Sequence, residues 1–174
     1  MEDYKYILEL QDLHTTFTTD NGDVSAVNGV NFTLEPGKTL GIVGESGSGK
    51  SVTAYSIMQI LADNGSISGG KVLYKGENIV DWDAKQMAGF RGRCVSIIFQ
   101  DPMTSLNPVF SIGYQLKEAI LLHTNKTKEQ ANERAKELLS LVGINEPEKR
   151  LKQYPHELSG GMRQRVMIAI PSFF

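Results

Sequence analysis

Cysteine is almost absent from this 174-residue chain: Cys94 is the only one, so no internal disulfide can form. It sits in the apolar run Cys94-Val95-Ser96-Ile97-Ile98-Phe99, where a small buried hydrophobe is expected. Histidine is scarce too. His14, His123 and His156 have no ligand-like spacing and read as solvated or structural. No run approaches the roughly eighteen apolar residues that a membrane-crossing helix needs. The first residues, MEDYKYILEL, carry acids where a secretory signal carries bases. An excess of positive charge is also missing. The net charge of −2 argues against a general nucleic-acid binder, which is usually basic. No internal repeat and no low-complexity linker are visible.

What is present is enough for one ordinary domain. A chain of this length buries about 70% of its unfolded surface on folding, so a real core is possible. Apolar content of 40% and charged content of 22% are globular values. Residues 5–13 and 24–34 are rich in apolar and β-branched positions, and Asp20-Asn21-Gly22-Asp23 between them is a turn signal, so a hairpin is expected. Thr39-Leu40-Gly41-Ile42-Val43 reads as a short apolar strand, and residues 51–61 as a helix. Gly69-Gly70 reads as the opening of a further hairpin, with 71–74 as one strand and 75–78 as its turn. Residues 94–99 read as a buried strand.

After Pro102 the pattern turns helical. Thr127-Lys128-Glu129-Gln130 has capping-box spacing. Ala131, Ala135, Leu138, Leu139 and Val142 then share one face, and Gly143 is placed to end the helix.

Gly44-Glu45-Ser46-Gly47-Ser48-Gly49-Lys50-Ser51 matches the phosphate-loop pattern G-x-x-x-x-G-K-S in full. A triphosphate carries several charges that must be met without bulky side chains in the way. Glycines let the backbone curl so that successive N–H groups point inward. The following helix adds the positive end of its dipole, about half a charge. Lys50 supplies a mobile full charge for the outer phosphates, and the Ser51 hydroxyl is a Mg²⁺ ligand candidate.

A second glycine-rich turn, Leu158-Ser159-Gly160-Gly161-Met162-Arg163-Gln164-Arg165, lies near the C-terminal end. Alone, Ser159-Gly160-Gly161 is equally a helix-capping turn. Arg163 and Arg165 read either as phosphate binders or as a solvated, salt-bridged helix face. Met162 reads as packing, and Tyr154-Pro155-His156 as a loop.

Downstream of a phosphate loop, LSGGMRQR resembles the signature motif of ATP-binding cassette (ABC) ATPases. Ile97-Ile98-Phe99-Gln100-Asp101-Pro102 resembles that family's Q-loop, and Phe17 sits where the family places an aromatic against adenine. The stretches FQDPMTSLNP and YPHELSGGMRQRV are similar to bacterial dipeptide/oligopeptide importer ATPases, over roughly residues 5–170. The resemblance implies an α/β P-loop NTPase fold with an N-terminal antiparallel β subdomain. It implies one partial cassette domain over 1–174: β subdomain and P-loop core over 4–100, helical subdomain with the signature over 101–165.

Further implications follow from the family. ATP and Mg²⁺ are the ligands. Gly44, Glu45, Ser46, Gly47, Ser48, Gly49, Lys50 and Ser51 hold phosphate, Ser51 and Gln100 the metal region, and Gln100 the attacking water. Phe17 meets the base. Ser159, Gly160 and Gly161 meet the γ-phosphate held by a second ATPase subunit, the same or a paralogue. Membrane permease subunits are direct partners and a solute-binding protein an indirect one, with no nucleic acid. The implied place is the cytoplasmic face of the bacterial plasma membrane.

Members of the family continue with an apolar strand ending in Asp-Glu, then a switch histidine. Here the sequence reads Ala169-Ile170-Pro171-Ser172-Phe173-Phe174, and Pro171 is expected to stop the helix. The resulting expectation is a truncated or frame-shifted product lacking the C-terminal part of the core. Loss of the general base would cost about 10²–10⁴ in rate, so weak or no hydrolysis is expected of this chain alone. Two other classes stay open at this point: a non-transport cassette ATPase and a non-hydrolysing nucleotide-binding remnant.

Overall fold

Asp20 and Asn21 join two long β-branched runs, and this short connection forces their pairing. In the computed structural model, which describes residues 4–101 and 105–172, strand β1 (Leu8–Thr19) and strand β2 (Gly22–Leu34) pair antiparallel from Thr19 opposite Gly22. Both strands run further than their apolar cores. Strand β3 (Gly65–Tyr74) pairs with the other side of β1, and the short β4 (Glu77–Asn78) follows, in the order β2-β1-β3-β4. The chain divides into two compact units, Met1–Ala88 and Gly89–Phe174.

The expected hairpin forms, with 71–74 in β3 turning at Lys75-Gly76 into β4, but Gly69-Gly70 lies inside β3 rather than opening it. Register with β1 shifts there, and Gly70 (φ +83) leaves no room for a Cβ against the Asp12 carbonyl. A close approach of two backbones, rather than a turn, is what asks for glycine at this point.

Helix α1 (Lys50–Met58) begins at the phosphate loop and packs against the sheet. Its Ser56 hydroxyl and the Thr15 hydroxyl of β1 are 2.8 Å apart, both fully buried. Leu10, Leu13, Val27, Val72 and Ile79 complete this apolar layer. Helix α2 (Ala84–Phe90) is opened by a reciprocal cap: the Gln86 N–H donates to the Asp83 carboxylate at 2.7 Å, and the Asp83 N–H to the Gln86 side chain at 3.0 Å.

Two expected strands are not formed. Residues 39–43 carry no ladder, and Leu40, Ile42 and Val43 are exposed, Val43 by 92%. Residues 94–99 make only one isolated bridge, Val95 with Arg91, and Cys94 is exposed rather than buried. An apolar run becomes a strand only when a neighbour takes its N–H and C=O groups. Among the described residues 39–43 finds no such strand, and the backbone bonds of Cys94 and Val95 go to Phe90 and Gly92 of the adjoining turn.

The second unit is helical: α3 (Ile112–His123), α4 (Lys128–Leu141), the short α5 (Pro147–Leu151), a 3₁₀ turn (Pro155–Glu157), α6 (Gly160–Ala169) and a final 3₁₀ turn (Ile170–Ser172). So residues 154–156 enter a 3₁₀ turn rather than an open loop, and α6 stops before Pro171 as expected. The capping box at Thr127 and Gln130 is present in full. Gly143 (φ +72) ends α4 in a Schellman motif. The Ile144 N–H donates to the Leu139 carbonyl at 2.9 Å and the Gly143 N–H to that of Ser140 at 3.0 Å. Of the predicted face, Ala131, Ala135, Leu138 and Leu139 are buried and Val142 is partly buried against them, and Leu116, Ile120, Leu158 and Val166 meet it in one core. Each such Leu or Ile side chain contributes about 1.5–3 kcal/mol of burial.

Candidate functional site

The phosphate loop lies between the unpaired segment 39–43 and helix α1. Its curl is made by left-handed Gly47 (φ +82) and Gly49 (φ +85). Gly49 is the helix cap and brings no side chain to that role. A Cβ there would stand 2.5 Å from the Ala26 carbonyl of β2, so only glycine fits. Sequence reasoning missed Ala26 as the backing of the loop, because a backbone carbonyl contributed from a distant strand has no sequence signal.

The Lys50 ammonium folds into the loop it follows. It donates to the carbonyls of Gly44 (2.9 Å) and Glu45 (2.6 Å) and to the Ser48 hydroxyl (3.2 Å). The first intrahelical bond of α1 runs from the Thr53 N–H to the Gly49 carbonyl at 2.8 Å. The amides of Lys50, Ser51 and Val52 therefore point out of the helix end with no intrahelical acceptor. No capping side chain competes for them. Three amides, one ammonium and the positive end of a helix fit a phosphate chain. Ser51 is exposed and offers one hard oxygen of the kind Mg²⁺ takes. Among the described residues, no group of three or more His, Cys, Asp or Glu forms a metal cluster.

Phe17 is half-buried on β1, opposite Val24 and Gly65, and its ring lies against Gly65. It belongs to the same unit as the phosphate loop. Gln100 is exposed in the second unit, at a bend. The Pro102, Met103 and Thr104 that complete its motif lie outside the described residues.

The second glycine turn is also a helix N-terminus. Ser159 caps α6, its hydroxyl accepting the Met162 N–H at 3.3 Å. The first intrahelical bond is Arg163 N–H to the Ser159 carbonyl, 3.0 Å. Gly160 and Gly161 are exposed, and the space a Cβ would take at either is open. Leu158, just before the cap, is buried in the helical core, and Met162 packs against the same core. The Arg163 Nε donates to the Leu158 carbonyl (3.0 Å) and Arg165 to the Gly143 carbonyl (2.8 Å). Tyr154 and His156 stack with ring centroids 5.7 Å apart, on a turn held by the Tyr154 N–H to the Glu157 carboxylate at 2.7 Å. His14 bonds Asp12 at 3.1 Å and His123 packs on Gly92, so all three histidines have structural neighbours. No helix among the described residues is long and apolar enough to cross a membrane.

The chain is 52% identical over 164 residues to the oligopeptide transport ATP-binding protein OppD of Salmonella typhimurium, covering 94% of this chain and 49% of that protein. It is 50% identical over 165 residues to the dipeptide transport ATP-binding protein DppD of Bacillus subtilis, covering 94% and 49%. The chain thus spans about half the length of the curated relatives it matches. The solved dimeric ABC transporter cassette MJ0796 superposes with a TM-score of 0.82 at 24% identity, covering 94% of this chain and 68% of that one. CbiO1 of Clostridium perfringens gives 0.71 at 25% identity, covering 97% and 62%. Both are ABC cassettes, and the antiparallel sheet and helices of this chain give it the α/β fold they share. The ABC transporter family model matches residues 27–173, most of the chain and both glycine turns, so the protein belongs to the ABC transporter family.

Proposed function

We propose that this chain is the nucleotide-binding part of the ATP-binding subunit of a peptide importer. The observation that supports this best is a phosphate loop and a Ser159-Gly160-Gly161 helix N-terminus in a chain half identical to named oligopeptide and dipeptide transport ATP-binding proteins. In this reading residues 44–51 wrap the phosphates of ATP, with Lys50 leaving its carbonyl partners for the outer phosphates. Ser51 holds Mg²⁺, and Gln100 serves the metal and attacking-water region. Phe17 meets the adenine. Ser159, Gly160 and Gly161 contact the γ-phosphate of ATP held by a second ATPase subunit, because their amides and hydroxyl form an anion site of their own. ATP then joins two such subunits, and its hydrolysis parts them. The permease subunits with which the pair works place it at the cytoplasmic face of the membrane.

Titration with a fluorescent ATP analogue tests the first step. Lys50→Ala removes a charge-assisted contact worth about 1.5–3 kcal/mol, an expected loss of about 10–100-fold in affinity. Equal affinity in both proteins, with unchanged circular dichroism, refutes the assignment of the loop. For the transport role, the source cells should lose labelled-peptide uptake when Lys50→Ala replaces the native residue. Undiminished uptake counts against peptide import.

A further inference from the structure

Gly160 and Gly161 have no side chains, and nothing stands within 4 Å of where a Cβ would be. Nothing therefore packs on that side to aim their amides. Their direction is inherited from the residues on either flank. Upstream, Leu158 is held by its side chain, 3% exposed in the helical core. Its carbonyl is held as well, by the Arg163 Nε at 3.0 Å. Arg163 is the fourth residue of α6 and Leu158 precedes the cap. These are the two positions that a hydrophobic staple joins when it fixes how a chain enters a helix. Here the link is polar and runs side chain to backbone. Downstream, Arg165 donates to the Gly143 carbonyl at 2.8 Å. That carbonyl lies just past the C-terminal end of α4, where a cation is favoured by the helix dipole. The bond ties α6 to α4.

We propose that Arg163 and Arg165 are positioning residues for the second glycine turn. They fix the direction of the Ser159 hydroxyl and of the Gly160 and Gly161 amides, and thereby set that turn's affinity for phosphate. The phosphate part rests on the function proposed above; the positioning part does not. Each arginine donates to a backbone carbonyl, Arg163 from a half-buried position and Arg165 from an exposed one. The first turn of α6 contains no acidic residue, so nothing there opposes an incoming anion.

The test uses the full chain carrying Lys50→Ala, which silences the other loop, and pyrophosphate as the probe. Amide shifts of Gly160 and Gly161 follow binding, and hydrogen exchange at Met162 follows the geometry of the turn. Arg163→Met is expected to weaken pyrophosphate about fivefold and to speed Met162 exchange by a similar factor, as loss of one such hydrogen bond would. Protection in α4, at Leu138 and Leu139, should hold. Arg163→Lys should restore both, because a single donor is all the contact uses. Arg165→Met should act in the same direction with a smaller change. Weakened binding with unchanged exchange overturns the proposal, because charge alone would then explain it. Unchanged exchange and unchanged binding overturn it too. Faster exchange in Arg163→Met, where the glycine amides of the Lys50→Ala parent ignore pyrophosphate, supports the positioning and refutes the phosphate reading.

Discussion

The phosphate loop and the second glycine turn both end at a helix N-terminus, but they are built by different means. The first is framed by backbone: left-handed Gly49 caps α1 without a side chain and presses on the Ala26 carbonyl. The residues leading into it are exposed, and its one strong charge, Lys50, rests on the loop's own carbonyls. The second is framed by side chains. Ser159 caps α6, Leu158 is sunk in the core, and two arginines clamp carbonyls on either side. A loop that wraps a whole phosphate chain gains from keeping its amides uncommitted until the ligand arrives. A turn that meets only the end of a phosphate gains from being set in advance. In the proposed function, the same local motif, glycines before a helix, serves both ends.

The difference can be broken at its largest point by Gly49→Ala. The left-handed backbone alone costs about 1–2 kcal/mol for a residue with a Cβ. Overpacking against the Ala26 carbonyl adds about 1–3 kcal/mol. Urea unfolding should show a loss of about 2–5 kcal/mol together with lost nucleotide affinity. A variant within half that range of the parent's stability would mean that the loop does not lie on β2.

The lead-in residues should respond in opposite ways. Leu158→Ala leaves a cavity in the helical core and should cost about 2–3 kcal/mol in the unfolding of the second unit. Val43→Ala, at a side chain 92% exposed, should stay within about 0.5 kcal/mol of the parent. Equal losses in the two would erase the contrast drawn between a free and an anchored approach. Ser159→Ala comes next. It removes a cap bond and should cost about 1 kcal/mol by thermal unfolding. No side chain on the first loop has an equivalent role, since Gly49 caps without one.

How much of this was legible before the fold was known follows from the range of each interaction. The capping box at Thr127 and the stop at Gly143 depend on residues one to five positions apart, so spacing alone announces them. The phosphate loop is legible for the same reason. Residues 94–99 and 39–43 are apolar enough to read as strands, yet strand formation depends on a partner that the run itself does not name, and neither forms a ladder. Cys94 went with them: an apolar neighbourhood in sequence is not an apolar neighbourhood in space. Gly69-Gly70 reads as the opening of a hairpin strand because paired glycines usually mark the limit of an element. The actual reason, the nearness of Asp12, belongs to another strand. Arg163 and Arg165 were visible as charges but not as clamps, because every residue offers a carbonyl and nothing in the sequence marks which one is taken. Phe17 and Gln100 rest on family position, and titration of Phe17→Ala and Gln100→Ala with ATP analogues is the direct way to weigh them.

The smallest effect on stability separates the two turns most sharply. Gly161 sits in the first turn of α6 with ordinary helical backbone and open space where a Cβ would stand. Alanine is preferred to glycine in a helix by up to about 1 kcal/mol, and less near an end. Gly161→Ala should therefore raise thermal stability slightly, by about 0.5 kcal/mol. At the same time the new methyl occupies the space through which a facing phosphate reaches the amides, so pyrophosphate binding at this turn should fall. Gly49→Ala lowers stability and binding together, whereas Gly161→Ala should move them in opposite directions. That opposition identifies the open space over α6 as a place kept clear for a ligand, since the folded chain itself gains nothing from the glycine there. A variant that is more stable and binds pyrophosphate as well as its parent would show that the space is merely surface.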